Sequence, residues 1–262
     1  MIEQTTPSTL SSASALRLAA IRAARANPAS AAVPSEERLP FTIRLVRNAA
    51  DLDKAVYIRH AAYGRHVPDL AEKLRQPEPT DFEDGVAVLL AESKLDGSPL
   101  GTMRIQTNQF RPLDLEASVQ LPPWLQNGTL AEAARLGVAG DRVGNMVKTV
   151  LFKAYFLYCQ QAGIDWMVIT ARAPIDRMYE RLLFSDVYPG MGYVPIRCTN
   201  DIPHRVMCLE VAAVEPRWGA AQHPLYNFFF RTHHPDLELG QAAASDASAT
   251  RSAYEMPRVM YS

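Results

Sequence analysis

The stretch from residue 130 to residue 170 constrains the fold more than any other part of the chain. A strand is predicted over Leu130–Val138, and a glycine-containing loop separates it from a helix predicted over Gly144–Ala162. Apolar residues recur along one face of that helix, and Trp166–Thr170 (WMVIT) has the composition of a fully buried strand. Such a strand–helix–strand unit needs a sheet that holds both strands and a helix packed across one face.

Alternating and apolar runs elsewhere predict the rest of the sheet. Phe41–Leu45 alternates apolar and polar side chains, as in a half-buried strand. Val86–Ala91 and Leu100–Gln106 flank the turn residues Asp96-Gly97 and predict a hairpin. The remaining predicted elements are a helix from Asp51, a helix over Pro174–Leu183 and a strand over Val206–Val211. This order predicts the α/β (α+β) class, with a mixed sheet and helices on both of its faces.

The two ends of the chain differ from its middle in composition. Residues 1–40 are rich in Ala, Ser, Pro and Thr and poor in aromatic residues, so they bury too little apolar surface to offset the entropy of ordering. We expect a flexible tail over 1–40, one domain over 41–238 and a second flexible tail over 239–262. Within the first tail, Ala13–Arg25 is either a short docking helix or a basic targeting helix.

Charge and cysteine content argue against several classes of protein. The formal net charge is −1, which gives no basic footprint for nucleic acid. No apolar run approaches the ~20 residues that span a bilayer, and no secretory signal is expected. We therefore expect a cytoplasmic protein, and a peripheral membrane contact stays open. The three cysteines lack the spacing of a disulfide framework or zinc site, and we expect Cys159 and Cys208 in the core.

The junction between the Leu130–Val138 strand and the following helix is a candidate phosphate site. A helix start exposes unpaired N–H groups and carries partial positive charge, both of which suit a phosphate oxyanion. An ordinary loop capped by Asp141 is the alternative interpretation. The candidate residues are Val138, Arg142, Gly144 and Asn145.

Charged side chains in and before the strands are the other candidates. Glu132 and Arg135 lie within a strand, where charge is costly unless it is paired or functional, and they need a bulge or a strand end to share one face. Asp81 and Asp84 lack the further oxygen ligands that a calcium site needs, so no metal is expected. The remaining candidates are Arg59 and Tyr63 on one helix face, and Arg104 within the second hairpin strand.

Taken in order, these residues resemble the pattern of the acyl-homoserine-lactone synthases. The matching set is Arg59-x3-Tyr63, Asp81-x2-Asp84, Gly101-Thr102-Met103-Arg104 and Glu132-x2-Arg135. The distal part is closer to a sister group, the N-acyl amino acid synthases. That likeness rests on Glu132–Val138 (EAARLGV), His223–Tyr226 and Thr232–Asp236. The resemblance covers residues 41–238.

The resemblance implies a GNAT-like fold, with a mixed, mostly antiparallel sheet, and an acyltransferase activity. It implies no permanently bound cofactor: the donor is acyl-phosphopantetheine on acyl carrier protein, and the acceptor is an amino acid. The sequence differs from the family pattern at two places that bear on the identity of the substrates. The loop reads Asp141-x-x-Gly144-x-Met146, which suits the pyrophosphate of coenzyme A poorly. No Trp stands between Arg59 and Asp84, where lactone synthases carry one near S-adenosylmethionine.

These assignments predict a mechanism. Glu132 accepts the proton of the acceptor ammonium, with its pKa set by Arg135 and Arg104. Backbone N–H groups over Leu136–Val138 stabilise the oxyanion, and Arg104 or Arg59 binds the acceptor carboxylate. The predicted acyl-lining residues are Met103, Met146, Met167, Phe152 and Phe156, and those predicted to meet the carrier protein are Arg142, Lys148 and Lys153.

Three other functions stay open at this point. The chain could be an acyl-homoserine-lactone synthase, a coenzyme A-dependent acetyltransferase of a small amine, or a catalytically silent acyl-binding module that keeps only the fold.

Overall fold

The computed structural model of the protein describes residues 35–140 and 142–240. The possible helix over Ala13–Arg25 and the tail from residue 241 lie outside the described residues. The strands are β1 (Ser35–Glu36), β2 (Phe41–Leu45), β3 (Val86–Ser93), β4 (Pro99–Thr107), β5 (Leu130–Val138), β6 (Trp166–Ala171), β7 (Ser185–Asp186), β8 (Val194–Ile196), β9 (Ile202–Glu210), β10 (Thr232–His233) and β11 (Leu237–Glu238).

The helices lie between groups of these strands along the chain. The α-helices are α1 (Ala49–Gly64), α2 (Pro68–Lys73), α3 (Pro123–Gln126), α4 (Arg142–Gln161), α5 (Asp176–Arg181), α6 (Val214–Ala220) and α7 (Tyr226–Phe230). Short 3-10 helices span Pro79–Phe82, Asp114–Ala117, Arg197–Thr199 and Val211–Ala213. In the described residues, no helix has both the length and the apolar character that crossing a bilayer requires.

One mixed sheet organises the molecule. Its strand order is β11-β2-β3-β4-β5-β6-β9-β7, and β8 adds to β9. Neighbouring strands run antiparallel except at β11/β2 and at β5/β6. The predicted mixed, mostly antiparallel sheet is therefore confirmed, and so is the hairpin formed by β3 and β4.

Helices cover both faces of the sheet, as predicted. Helix α4 packs on the face that carries Met103, Ile105 and Ala131, where the main apolar core lies. Helix α1 packs on the opposite face against Val88 and Leu90. The apolar period of α4 and the alternation in β3 and β4 together create these two layers.

Several boundaries differ from those predicted. Helix α1 begins at Ala49 because Asn48 caps it, with its Oδ1 accepting from the Asp51 N–H at 2.9 Å. Helix α5 begins at Asp176, two residues after Pro174. The unpredicted elements are the short strands at the sheet edges, which are too brief to show a period, and the short helices α2, α3, α6 and α7.

Ordered structure continues past both ends of the predicted domain over 41–238. Leu39 and Leu239 are buried in the main core. The Leu39 N–H donates to Oδ2 of Asp236 at 2.7 Å, and β11 pairs with β2. These contacts close one edge of the sheet, so the segments beside residues 41 and 238 are part of the core rather than of the tails.

Candidate active site

A crevice opens where β5 and β6 separate. The two strands pair in parallel only from Leu130/Trp166 to Ala133/Ile169, and beyond that point they diverge. The resulting cavity has a volume of 430 Å³. Its walls are the free half of β5, the end of β6, the C-terminal end of α1 and the start of α5. The size suits a small-molecule site.

A β-bulge lies at the point where β5 leaves β6. Thr102 pairs with Gly137 and Arg104 pairs with Ala134, so one residue of β4 faces two residues of β5. Arg135 is one of those two, and its φ of +55° lies in the left-handed region. Of the two possibilities, a bulge or a strand end, the structure therefore shows the bulge. It turns the Arg135 side chain toward the α1 face of the sheet, which also carries Arg104.

Three buried arginines meet on that face. The side chains of Arg59, Arg104 and Arg135 are 0%, 1% and 4% exposed. Asp81 accepts from Nη1 and Nη2 of Arg59 at 2.8 and 3.0 Å, and its Oδ1 lies 3.4 Å from Nη1 of Arg104. Although burial alone raises the pKa of Asp81, the two guanidiniums lower it below its usual value. Asp81 therefore stays ionised.

Glu78 joins the three arginines and was not predicted from the sequence. Its carboxylate accepts from Nε and Nη2 of Arg135 at 2.6 and 2.7 Å. Nη1 of Arg104 lies at 3.0 Å and Nη1 of Arg59 at 3.4 Å. Burial alone raises the pKa of Glu78, but the combined effect of the three arginines is larger and lowers that pKa below its usual value. The only signal in the sequence was an imbalance, since three arginines at one site need more acid than Asp81 supplies.

Glu132 is a further carboxyl group beside this cluster, and it differs from Asp81 and Glu78. It is 1% exposed, its Oε2 accepts from the Leu115 N–H at 3.2 Å, and its Oε1 has no hydrogen-bond partner among the described residues. Burial raises the pKa of Glu132 to about 7, and the charge of Asp114 adds to the effect. Arg104 and Arg135 lower that pKa but do not prevail, whereas the sequence led us to expect that they would set it. Glu132 can therefore gain or lose a proton near neutral pH.

Arg59, Arg104, Asp81 and Glu132 lie beneath the cavity walls rather than on them. The buried arginines are held by carboxylates of the protein, so the geometry does not support their predicted contact with an acceptor carboxylate. Tyr63 and Arg135 do line the crevice. Asp84 is exposed and lies outside the cluster.

A second cavity lies on the other side of Arg135. It has a volume of 910 Å³, and Arg135 and Cys198 line both cavities. The charge of Glu132 raises the pKa of the Cys198 thiol, after the larger effect of burial, so Glu132 is electrostatically close to this junction. The two cavities therefore share the lining residues Arg135 and Cys198, and the carboxyl group whose pKa lies near 7 is close to them.

The predicted phosphate loop lies at the outer end of the crevice. Val138 lines the crevice, whereas Arg142 and Asn145 are exposed at the start of α4. A Cβ atom at Gly144 would lie 1.9 Å from the Ala139 carbonyl oxygen, so only glycine allows the loop to approach the helix this closely. The sequence did not single out Arg65 and Arg172, which also line the crevice.

Other predicted residues take structural positions. Cys159 and Cys208 are buried, as expected. Lys153 is also buried, so it cannot meet a carrier protein: its ammonium donates to the carbonyls of Phe228 and Thr232 at 2.7 and 2.6 Å. The predicted acyl-lining residues do not line the crevice, because all but Met146 are in the main core and Met146 is exposed. The apolar part of the crevice is formed instead by Val67, Leu70, Ile175, Met178, Tyr179 and Ile202.

We compared the sequence and the structure with those of known proteins. No protein family model matches the sequence. A curated relative, the mycothiol acetyltransferase of Propionibacterium freudenreichii subsp. shermanii, is 28% identical over 68% of this chain. The chain spans 54% of that relative's length.

Solved structures share the architecture. FeeM, an N-acyl amino acid synthase from uncultured soil microbes, matches 72% of this chain and 96% of its own with a TM-score of 0.52 and 16% identity. BjaI, a CoA-dependent acyl-homoserine lactone synthase, matches 82% of this chain and 99% of its own with a TM-score of 0.49 and 14% identity. The match to FeeM therefore shows that the chain has the GNAT-like fold.

Proposed function

We propose that this protein is an acyltransferase that moves a fatty acyl group from a phosphopantetheine thioester on acyl carrier protein to the amine of an amino acid. One observation carries the proposal. The crevice beside β5 and a second cavity share the lining residues Arg135 and Cys198, and near them lies Glu132, a buried carboxyl group whose pKa is raised to about 7. A thioester in the crevice and an amine in the second cavity would meet beside that carboxyl group.

The free edge of β5 suits a pantetheine arm. The Ala139 N–H donates to Leu100 in β4, so alternation along the strand directs the N–H groups of Val138 and Leu136 toward the crevice. Those groups can pair with the amides of pantetheine and with the oxyanion that forms at the thioester carbon. The exposed Arg142 and the crevice residue Lys148 lie where an acidic carrier protein would deliver the arm.

Glu132 is suited to take the proton of the incoming ammonium. It lies behind the cavity walls, so we assign the transfer to a path through one water molecule. A pKa near 7 lets Glu132 accept that proton at neutral pH and release it afterwards. The nitrogen then attacks the thioester carbonyl carbon, and the carbon–sulfur bond breaks. The nitrogen loses its second proton as the thiolate leaves, and that proton ends on the sulfur. No covalent intermediate on the protein is required.

Tyr179 is placed to stabilise that thiolate by donating a hydrogen bond. It lines the crevice, and among the described residues its hydroxyl has no hydrogen-bond partner. Burial raises the pKa of Tyr179, so the phenol stays protonated at neutral pH and can donate a hydrogen bond to the sulfur as negative charge develops there. Its assignment predicts that Tyr179→Phe lowers kcat while the KM for the donor stays close to that of the wild type.

The comparisons support acyl transfer at two levels. FeeM is an N-acyl amino acid synthase, and it shares this fold. The curated relative is an acetyltransferase, which favours an acetyl donor on coenzyme A as the second candidate. The chain spans about half the length of that relative, so its acceptor is not transferred to this protein.

The test is product analysis with the purified chain. Acyl carrier protein charged with fatty acids of several lengths, the matching coenzyme A thioesters and acetyl-coenzyme A are each offered with the common amino acids, and products are identified by mass spectrometry. N-acyl amino acids formed from the carrier-protein donor support the proposal. Acetylated amines would support the second candidate, lactones formed with S-adenosylmethionine would indicate a lactone synthase, and no product would indicate an acyl-binding module.

Two variants test the assigned base. Glu132→Gln keeps the shape of the side chain but cannot take a proton, so product formation should fall at least tenfold, since a general base contributes ~100-fold or more. Glu210→Gln removes an exposed carboxylate at the end of β9 and is the matched control. Activity of Glu132→Gln close to that of the control would remove Glu132 from the mechanism.

A further inference from the structure

The second cavity carries more positive than negative side chains. Four cationic residues line it against three acidic ones. The cationic residues are Lys73, Arg111, Arg135 and Arg197. One unit of positive charge is therefore in excess, which suits a ligand that brings one negative charge.

Two of the four cations are already paired within the protein. Arg135 donates to both oxygens of Glu78 at 2.6 and 2.7 Å. Arg111 donates to Oδ1 of Asp114 at 3.0 Å. The third acidic residue, Glu116, accepts from the Leu113 N–H at 2.8 Å and so caps its own 3-10 helix. None of these groups is available as the main partner of a ligand.

Arg197 and Lys73 remain. Arg197 is exposed, and among the described residues its guanidinium has no ion pair or side-chain hydrogen bond. Lys73 donates one hydrogen bond to Oδ1 of Asn200 at 2.7 Å, which leaves two of its three N–H groups for a ligand. Both residues lie on the wall of the second cavity, as does Cys198, which follows Arg197 in the chain. Cys198 also lines the crevice beside β5.

We propose that Arg197, assisted by Lys73, binds the carboxylate of the acceptor and so selects amines that bear a carboxylate over those that do not. A guanidinium offers two parallel N–H groups that match the two oxygens of a carboxylate. An α-amino acid held this way would direct its ammonium past Cys198 toward Glu132. This inference rests on the proposed function, because it identifies the acceptor site of the same reaction.

The test compares an amino acid with its primary amide. The best acceptor among the common amino acids is assayed with the wild type, with Arg197→Gln and with Lys73→Gln, and its amide serves as the analogue without a carboxylate. We expect the wild type to prefer the acid and Arg197→Gln to raise the KM for the acid about tenfold, as for loss of one charged hydrogen bond. The KM for the amide and the kcat at saturation should change little. Arg217→Gln, an exposed arginine on α6, is the matched control.

The outcomes separate this inference from the proposed function. A wild type that acylates the acid and the amide equally, or an Arg197→Gln variant that keeps the preference for the acid, would overturn the role of Arg197 while leaving acyl transfer intact. If the wild type acylates no amine, the proposed function fails. Calorimetric binding of the common amino acids to the wild type and to Arg197→Gln still decides the inference in that case, because equal binding by both proteins, or none by either, would overturn it.

Discussion

Replacing Glu132 with glutamine should make the protein more stable at alkaline pH while it lowers activity. Glu132 is buried, and Oε1 has no partner among the described residues, so its ionised form is poorly solvated. Glutamine keeps an oxygen for the Leu115 N–H and has nearly the same shape as the protonated acid. The two proteins therefore differ mainly in whether residue 132 can carry a negative charge.

The size of the effect follows from the pKa. In the folded protein the pKa of Glu132 is raised from 4.5 to about 7. Between those values the folded state binds more protons than the unfolded state, so the free energy of unfolding falls as pH rises. A shift of about 2.5 units at 1.36 kcal/mol per unit corresponds to about 3 kcal/mol. At pH 8 the glutamine variant should be more stable by about this amount, and near pH 4.5 the two proteins should be nearly equal.

Urea unfolding of both proteins between pH 4.5 and pH 8.5 measures the difference. Comparison at each pH cancels the titration of all other groups, and Glu210→Gln should show no such trend because that side chain is exposed. The kcat/KM of the wild type should decrease as the pH drops below about 7, because catalysis requires the deprotonated form of Glu132. A difference in stability that stays constant with pH, or that grows as pH falls, would refute the assignment.

Three further substitutions test other parts of the structure. Asp81→Asn leaves the buried charge of Arg59 without its two-bond partner and should lower the free energy of unfolding by about 3–5 kcal/mol; a loss below 1 kcal/mol in denaturant unfolding would contradict this role. Gly144→Ala brings a methyl group 1.9 Å from the Ala139 carbonyl oxygen and should raise the KM for the donor more than that for the acceptor; unchanged donor kinetics would argue against the predicted loop. Lys153→Met removes the ammonium that donates to the half-buried carbonyls of Phe228 and Thr232 and should cost about 1–3 kcal/mol, seen as a lower Tm; an unchanged Tm would contradict this structural role.

The elements that could be predicted from the sequence are those with long or clean patterns. The bounds of β5 match the prediction, and α4 matches within two residues at its start, because an apolar face repeated over several turns is set by local period alone. Strands of two or three residues, such as β11, leave no such pattern. Their positions follow from the edge of the sheet to which they pair.

The candidate site was predictable in part. The predicted residues do lie together: they are Arg59, Asp81, Arg104 and Arg135. Their roles depend on how deeply each side chain is buried, and the sequence alone does not give that burial. Glu78 stands between two prolines in an irregular segment, without a periodic pattern that would predict its face or partners. The roles of such residues depend on contacts between segments far apart in the chain, and only the assembled sheet supplies those contacts.

The bulge at Arg135 also decides how β5 can change in length. Ala131 and Ala133 pack on the α4 face before the bulge, and Leu136 and Val138 pack there after it, so the surplus residue reverses the odd–even order of the strand. Insertion or deletion elsewhere in β5 would invert one half of the strand. Loss of a single residue at the bulge would leave every other side chain on its present face and restore an unbroken ladder. In a lineage of such proteins, this is the point at which the strand can gain or lose one residue while keeping its fold.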